Sequence, residues 1–205
     1  MNFVISVILI FLLLIGNEFL YRKYKKHGEL FRKIVHILVG SFVAFWPYLM
    51  SYNLIRLVSL LFVLAVIISI RFNIFKSIHN VNRNSLGEIM FGISIGLTTF
   101  VANSHLIYTL SILAMSLGDG VAALIGTYYG KGNKYKIFGK TKSILGTLTF
   151  FSISLILILV YVALTHYNFN LWYVALAVLL TITENVSPTG LDNVSIPLLT
   201  AFFLV

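Results

Sequence analysis

The chain alternates long apolar runs with short polar segments. Seven of the runs approach the roughly 20 apolar residues that a helix needs to cross a membrane. They are Phe3 to Leu20, Ile34 to Met50, Leu54 to Ile70, Leu86 to Val101, Leu106 to Tyr128, Ile144 to Thr165 and Leu171 to Val186. An eighth run, Val194 to Val205, would rise only about 18 Å as a helix. The pattern predicts an all-α, polytopic membrane helix bundle of about seven transmembrane helices, with a short C-terminal half-helix.

Composition agrees with this pattern. The chain is 59% hydrophobic and 10% charged, with a mean hydropathy of +0.97, whereas a soluble domain is about 45 to 50% apolar and 25% charged. We therefore expect residues 1–205 to form a single integral membrane domain. Basic residues follow the first run and none precedes it, so we expect a retained helix instead of a signal peptide. The lack of cysteine excludes disulfides, thiolate metal sites and a cysteine nucleophile.

The net charge of +9 is concentrated in alternate loops. Fourteen of the 15 basic residues follow the first, third and fifth runs, and the remaining one is Arg56. Cytoplasmic loops carry such an excess, so the positive-inside rule places these three loops in the cytoplasm and the N-terminus outside. The charge is thereby explained by topology, and we expect no nucleic-acid partner.

The six carboxylates all fall on the predicted cytoplasmic side of the membrane midplane. They are Glu18, Glu29, Glu88, Asp119, Glu184 and Asp192. Asp119 lies within the apolar stretch SLGDGVAALIG, where a carboxylate costs at least about 2.5 kcal/mol. It therefore needs a structural ion pair, a helix kink or an aqueous site. For Glu18 and Glu29, which lie beside basic residues, ordinary interfacial pairing is the simpler interpretation.

The segment GTYYGKGNKYKIFGKTKSILGT follows Asp119 and contains five lysines and five glycines. Glycines allow close backbone approach to a ligand, and lysines neutralise phosphate charge. A carboxylate beside such a loop suits Mg²⁺ and a nucleotide. Enforcing topology and binding anionic headgroups explain the lysines equally well. The GKT of this segment is not a P-loop, because the preceding glycine has the wrong spacing and no strand is expected before it.

Four stretches in order resemble the family of CTP-dependent polyprenol and lipid kinases, which includes dolichol kinase and phytol kinase. They are RKIVHILVG (32–40), SLGE (85–88), GDGVAALIGTYYG with GKTKSILGT (118–147) and ENVSPTGLDNVSIP (184–197). Dolichol kinases usually carry an acid at the position of Leu145, so the resemblance favours the phytol kinase-like branch. On this basis residues 1–30 form a first helix with a basic loop, and residues 31–205 form a kinase-like core.

The resemblance implies transfer of the γ-phosphate of CTP to a long-chain isoprenoid or other lipid alcohol, with Mg²⁺ as cofactor. Asp119, with Glu88 or Asp192, would hold the metal. His36 would take the alcohol proton or bind phosphate, and Glu184 and Asn185 are alternatives for that role. The expected nucleotide-binding residues are Arg32, Lys33, Gly118, Gly120, Lys140, Lys142, Ser143, Gly146 and Thr147.

Two other functions fit parts of the pattern. A CTP:phosphatidate cytidylyltransferase also combines a membrane aspartate with a Gly/Lys loop, but it releases pyrophosphate instead of CDP. A small transporter would bury acids too, although the outer halves of these runs are almost free of ionisable groups. We expect a multi-pass protein of a prokaryotic cytoplasmic membrane with its active site facing the cytoplasm. The identity of the alcohol and a homo-oligomeric state are left open.

Overall fold

The structure, a computed structural model, describes residues 2–24, 28–72, 74, 86–188 and 190–204. Within these residues the chain forms nine α-helices and one short β-hairpin. The helices are α1 (Asn2–Tyr24), α2 (Gly28–Ala44), α3 (Tyr52–Phe72), α4 (Gly87–Val101), α5 (His105–Leu113), α6 (Gly120–Tyr128), α7 (Ile144–Thr165), α8 (Leu171–Val186) and α9 (Asp192–Phe203). A 3-10 turn, Trp46–Tyr48, follows α2, and a π-helical segment, Ala114–Asp119, joins α5 to α6.

Some sequence predictions fall on other residues. Ser85 of the SLGE stretch and the basic residues Lys25, Lys26, Lys76 and Arg83 lie outside the described residues. Glu29 was predicted to lie in a loop, but its backbone belongs to the first turn of α2.

The predicted membrane helix bundle is confirmed, whereas the count of seven spans stays a prediction. Five helical segments are long and apolar enough to cross a membrane, and the continuous α5–π–α6 unit counts as one of them. They are Val4–Tyr24, Leu30–Tyr48, Tyr52–Phe72, His105–Tyr128 and Ile144–Thr165. The other two predicted spans are α4 and α8, which are apolar but only 15 and 16 residues long. The predicted C-terminal half-helix is α9, with 12 residues.

Polar side chains at the helix starts explain several boundaries. Ser104 and Ser143 accept hydrogen bonds from the backbone N–H three residues ahead, at the beginning of α5 and α7. Asn170 accepts one from the N–H of Trp172 at the start of α8. Each bond satisfies an N–H that the helix leaves unpaired.

The core lies where α2, the π-helical segment and α7 meet, and α9 packs against α4, α5 and α8. Met115 and Phe150 are fully buried there. Gly40 permits the contact between α2 and the π-helical segment, because a Cβ at this position would lie 2.3 Å from that of Ser116. By contrast, apolar side chains such as Leu12, Leu60 and Ile156 are more than half exposed, as suits a surface that faces lipid.

A hairpin follows α6 and corrects the expectation that no strand precedes the GKT stretch. Strand β1 (Lys134–Ile137) pairs antiparallel with β2 (Lys140–Ser143), with Ile137 opposite Lys140. The two connecting residues, Phe138 and Gly139, both have positive φ, which is the arrangement of a type I′ turn. A P-loop is still excluded, because the glycines before GKT do not have the spacing of that motif.

Candidate active site

The π-helical segment sets the position of Asp119. This segment widens the helix between α5 and α6, and Asp119 is its last residue. π-helical turns inside α-helices are rare and occur frequently at functional sites. The Asp119 side chain is only 7% exposed, yet it lines a polar cavity. The widened turn therefore presents a carboxylate to a cavity from inside an apolar helix.

Two basic side chains of α2 face this carboxylate. Lys33 Nζ lies 2.5 Å from Asp119 Oδ2, and both side chains are buried. His36 Nε2 lies 3.6 Å from the same oxygen and 3.4 Å from the carbonyl oxygen of Met115. Lys33 and His36 are three residues apart and so share one face of α2. The structural ion pair considered for Asp119 is therefore present, with Lys33, and it lies at the wall of a cavity.

The polar cavity has a volume of about 490 Å³. It is lined by α2, the start of α4, the π-helical segment, α6, the hairpin, the beginning of α7, the end of α8 and the beginning of α9. Ten of its lining residues belong to the predicted site: Arg32, Lys33, Asp119, Lys140, Lys142, Ser143, Gly146, Thr147, Glu184 and Asp192. Asn193, Lys134 and Thr127 also line it. Residues far apart in the chain thus meet around one space of the size that binds small molecules.

Lysines of the hairpin cross the cavity to the end of α8. Lys142 forms an ion pair with Glu184 and also donates a hydrogen bond to the Glu184 carbonyl oxygen at 3.3 Å. Lys140 donates to the carbonyl oxygen of Ser187 at 2.5 Å. The Lys142 side chain is about one-fifth exposed, so it is accessible from the cavity. The two lysines and Glu184 therefore form one wall, and the lysines can turn toward an anionic ligand.

A hydroxyl cluster lies beside this wall. Tyr135 of β1 contacts Thr147 Oγ1 at 2.5 Å and donates to Asn185 Oδ1, and Thr147 donates to the same amide oxygen at 3.3 Å. Sequence reasoning missed Tyr135, because only its place on an unpredicted strand brings it to Asn185. Ser143, a predicted nucleotide contact, has its oxygen engaged in capping α7 through the N–H of Gly146.

The predicted metal residues divide between two spaces. Asp119 and Asp192 both line the polar cavity, whereas Glu88 lines a neighbouring groove with its Oε1 4.0 Å from Arg32 Nη1. Among the described residues, no three His, Asp or Glu side chains form a metal-binding group. Burial and, to a smaller extent, the nearby charge of Asp119 raise the pKa of Asp192 to about 6. Because Mg²⁺ needs only one or two carboxylates when phosphate oxygens complete its shell, the pair of aspartates fits this ion.

Two of the predicted glycines have packing roles instead of lining the cavity. A Cβ at Gly118 would lie 2.9 Å from the Phe150 ring, and one at Gly120 would lie 2.3 Å from Ile37. Neither glycine lines the polar cavity. Gly146 does line it, and a Cβ there would lie 3.0 Å from the Ala122 carbonyl oxygen, which explains the close approach of α6 and α7.

An apolar groove adjoins the polar cavity. It has a volume of about 300 Å³ and is lined by side chains of α1, α2, α3 and α4. Arg32, Gly87 and Asn193 line both spaces. Asn193 connects the beginnings of α9 and α4 at this junction, because its Nδ2 donates to the Gly87 carbonyl oxygen at 2.8 Å. His36 lines the groove and faces Asp119, so it lies at the boundary between the two spaces. Asn193 belongs to the quoted DN element, yet sequence reasoning assigned it no role.

Comparison with known proteins identifies the family of the chain. No family model and no solved structure matches the chain. The chain is similar to a phytol kinase of Synechocystis sp., with 32% identity over 191 residues that cover 88% of this chain and 80% of that protein. At this identity and coverage, the chain belongs to the phytol kinase-like lipid kinase family.

Proposed function

We propose that the protein transfers the γ-phosphate of CTP to a long-chain isoprenoid alcohol of the phytol type. The main supporting observation is that a cavity with lysines and aspartates adjoins an apolar groove, and that Arg32, Gly87 and Asn193 line both. A lipid alcohol and a water-soluble nucleotide need such a junction, because one substrate arrives from the bilayer and the other from water. The similarity to a phytol kinase supports the class of acceptor.

The residues suggest how the two substrates would be held. Lys140 and Lys142 would contact the phosphates, and Asp119 with Asp192 would hold Mg²⁺, which neutralises phosphate charge when bound. His36 Nε2 faces two acceptors, the Asp119 carboxylate and the Met115 carbonyl. A hydrogen on Nε2 leaves the lone pair on Nδ1, which can accept the proton of the attacking hydroxyl. The alcohol oxygen bonds to the γ-phosphorus as the bond to the β-phosphate oxygen breaks, and CDP leaves.

The expected orientation completes the proposal. The positive-inside rule places the hairpin and the beginning of α2 at the cytoplasmic face, where nucleotides are available. The protein would then be a multi-pass enzyme of a prokaryotic cytoplasmic membrane. Its first described helix, α1, would begin on the outer side.

The decisive experiment uses CTP labelled in either the α- or the γ-phosphate. Purified protein in detergent is incubated with Mg²⁺ and, in separate reactions, phytol, geranylgeraniol, dolichol, diacylglycerol or phosphatidate. The proposal predicts that γ-label enters the lipid phase with an isoprenoid alcohol and that CDP is released. Transfer of α-label to phosphatidate, with release of pyrophosphate, would instead identify a cytidylyltransferase. Unlabelled UTP and ATP, added as competitors, test the choice of donor.

A further inference from the structure

The apolar groove is polar at one end only. Arg32, Gly87 and Asn193 line it where it meets the polar cavity, Glu88 lies 4.0 Å from Arg32, and His36 faces Asp119. Apart from Ser69, the remaining lining is apolar and includes Phe11, Leu14, Val39, Trp46, Val58 and Phe62. A ligand with a single polar end and a long hydrocarbon chain matches this distribution.

The groove follows α2 along most of its length. Arg32, His36 and Val39 share one face of the helix, and Trp46 continues that face just beyond its end. The fourteen positions from Arg32 to Trp46 correspond to a rise of about 21 Å. This length is comparable with the extended main chain of a twenty-carbon isoprenoid alcohol. Phe11 and Leu61 are both half exposed, so the groove is open on one side to lipid.

Trp46 closes the far end. Its ring is 1% exposed, and its indole N–H has no hydrogen-bond partner among the residues that the structure describes. Val58 of α3 lies on the same stretch of the lining and is 6% exposed. These two side chains are the ones that a fully extended chain would meet last.

We infer that the groove binds the hydrocarbon chain of the acceptor with its terminal methyl groups against Trp46, and that this end wall sets the preferred chain length. The inference rests on the proposed function. Lipid tails are as apolar as the groove, so transfer from the bilayer supplies little hydrophobic gain. Length selection must therefore come from packing. A shorter chain leaves the far end unfilled, and a longer one meets the wall.

Trp46 also provides the test, because the chain has only one other tryptophan, Trp172. Trp172 is half exposed on α8 and does not line the groove. The Trp172→Phe variant leaves Trp46 as the only tryptophan, which is excited selectively at wavelengths that tyrosine does not absorb. Geranylgeraniol brominated across its terminal double bond should quench this fluorescence saturably. The isomer brominated across the double bond nearest the hydroxyl should quench it at least several-fold less.

The matched control is Trp46→Phe, which leaves Trp172 to report random encounters with the probe. Its quenching should rise with probe concentration without saturating. Equal quenching by the two isomers, or stronger quenching by the bromine near the hydroxyl, would overturn the inference. This measurement needs no phosphate transfer. If no alcohol receives label, the proposed function fails while the fluorescence still decides the occupant of the groove.

A second variant tests length selection. Val58→Phe fills the far end and should lower kcat/KM for geranylgeraniol about tenfold, by analogy with tightly packed substrate pockets. The ten-carbon alcohol geraniol should be unaffected. Leu64→Phe, on the lipid-facing side of the same helix and outside the groove lining, should change neither value. An equal loss for both alcohols in Val58→Phe would contradict an end wall.

Discussion

The polar cavity and the apolar groove share three lining residues but differ in almost every other respect. The cavity is built around two charged pairs, one between α2 and the π-helical segment and one between the hairpin and α8. The groove is built from apolar side chains of α1 to α4. Its charged residues lie at the junction. In the proposed function this division would separate phosphate binding from lipid binding, and Arg32, Gly87 and Asn193 are where the two substrates would meet. Substitutions in the polar cavity should therefore leave lipid binding intact, and substitutions in the groove should leave nucleotide binding intact.

Removal of the metal should have the largest effect, and it should affect the polar cavity without affecting the apolar groove. We expect EDTA to reduce γ-phosphate transfer to background and added Mg²⁺ to restore it, because the phosphate charge would otherwise be unshielded. Quenching of Trp46 by the terminally brominated alcohol should not change. Full activity in EDTA would refute a metal-dependent cavity.

Asp119→Asn should have the next largest effect. The substitution keeps the volume of the side chain but removes its charge, so kcat should fall on the order of 10³-fold. Glu18→Gln is the control, because Glu18 pairs with Arg22 on α1 outside both spaces.

A purely structural role for Asp119 makes a different prediction. Breaking a buried ion pair costs about 3 to 5 kcal/mol because one charge is left unpaired. The double variant Lys33→Met, Asp119→Asn leaves neither charge. Recovery of activity in the double variant would show that Asp119 serves only to neutralise Lys33. Thermal midpoints of the three proteins measure the stability change separately from kcat.

Lys142→Gln should reduce the rate by about 100-fold, through loss of one charged contact to the donor phosphate. Lys136→Gln is the control, because it lowers the charge of the hairpin by the same amount. Lys136 lies on the paired strand outside the cavity lining, so its substitution should change the rate little. Steady-state rates at matched expression are the measurement. Equal losses in the two variants would show that the hairpin acts through its overall charge. Glu184→Gln in the Lys142→Gln background checks whether an unpaired Glu184 causes the loss.

Tyr135→Phe should have the smallest effect among the substitutions at the polar cavity. It removes a hydroxyl that bridges Thr147 and Asn185, which is worth about 1 kcal/mol, or roughly fivefold in the KM for the nucleotide. Tyr129→Phe is the control, because Tyr129 is largely exposed. An unchanged nucleotide KM, with a lowered thermal midpoint, would show that the cluster only stabilises the hairpin.

The lengths of the apolar runs were enough to predict where the helices lie, because a membrane span is specified by its own sequence. Lys142, Gly146 and Thr147 were selected because their residue types and closeness in sequence suit phosphate binding. All three line the polar cavity, and their contacts with phosphate stay a prediction. Asp119 was conspicuous because a carboxylate is costly in an apolar run. Local chemistry was sufficient for these features.

The remaining features depend on contacts between distant parts of the chain. Lys33 and Asp119 are 86 residues apart, and no spacing rule links them. The hairpin turns through Phe138 and Gly139, whereas type I′ turns are recognised from pairs such as Asn-Gly. The two spaces arise from tertiary packing, so neither the groove nor its closure by Trp46 was predictable from one sequence.

The π-helical segment makes the angular position of Asp119 depend on how the backbone is wound as well as on residue identity. Rewinding the same six residues as a regular α-helix would rotate everything after them by on the order of 100° relative to α5. The carboxylate would then point away from Lys33 and His36, although every side chain of the site was still present. Such a change of winding would be invisible to any inspection that checks only which residues the chain contains.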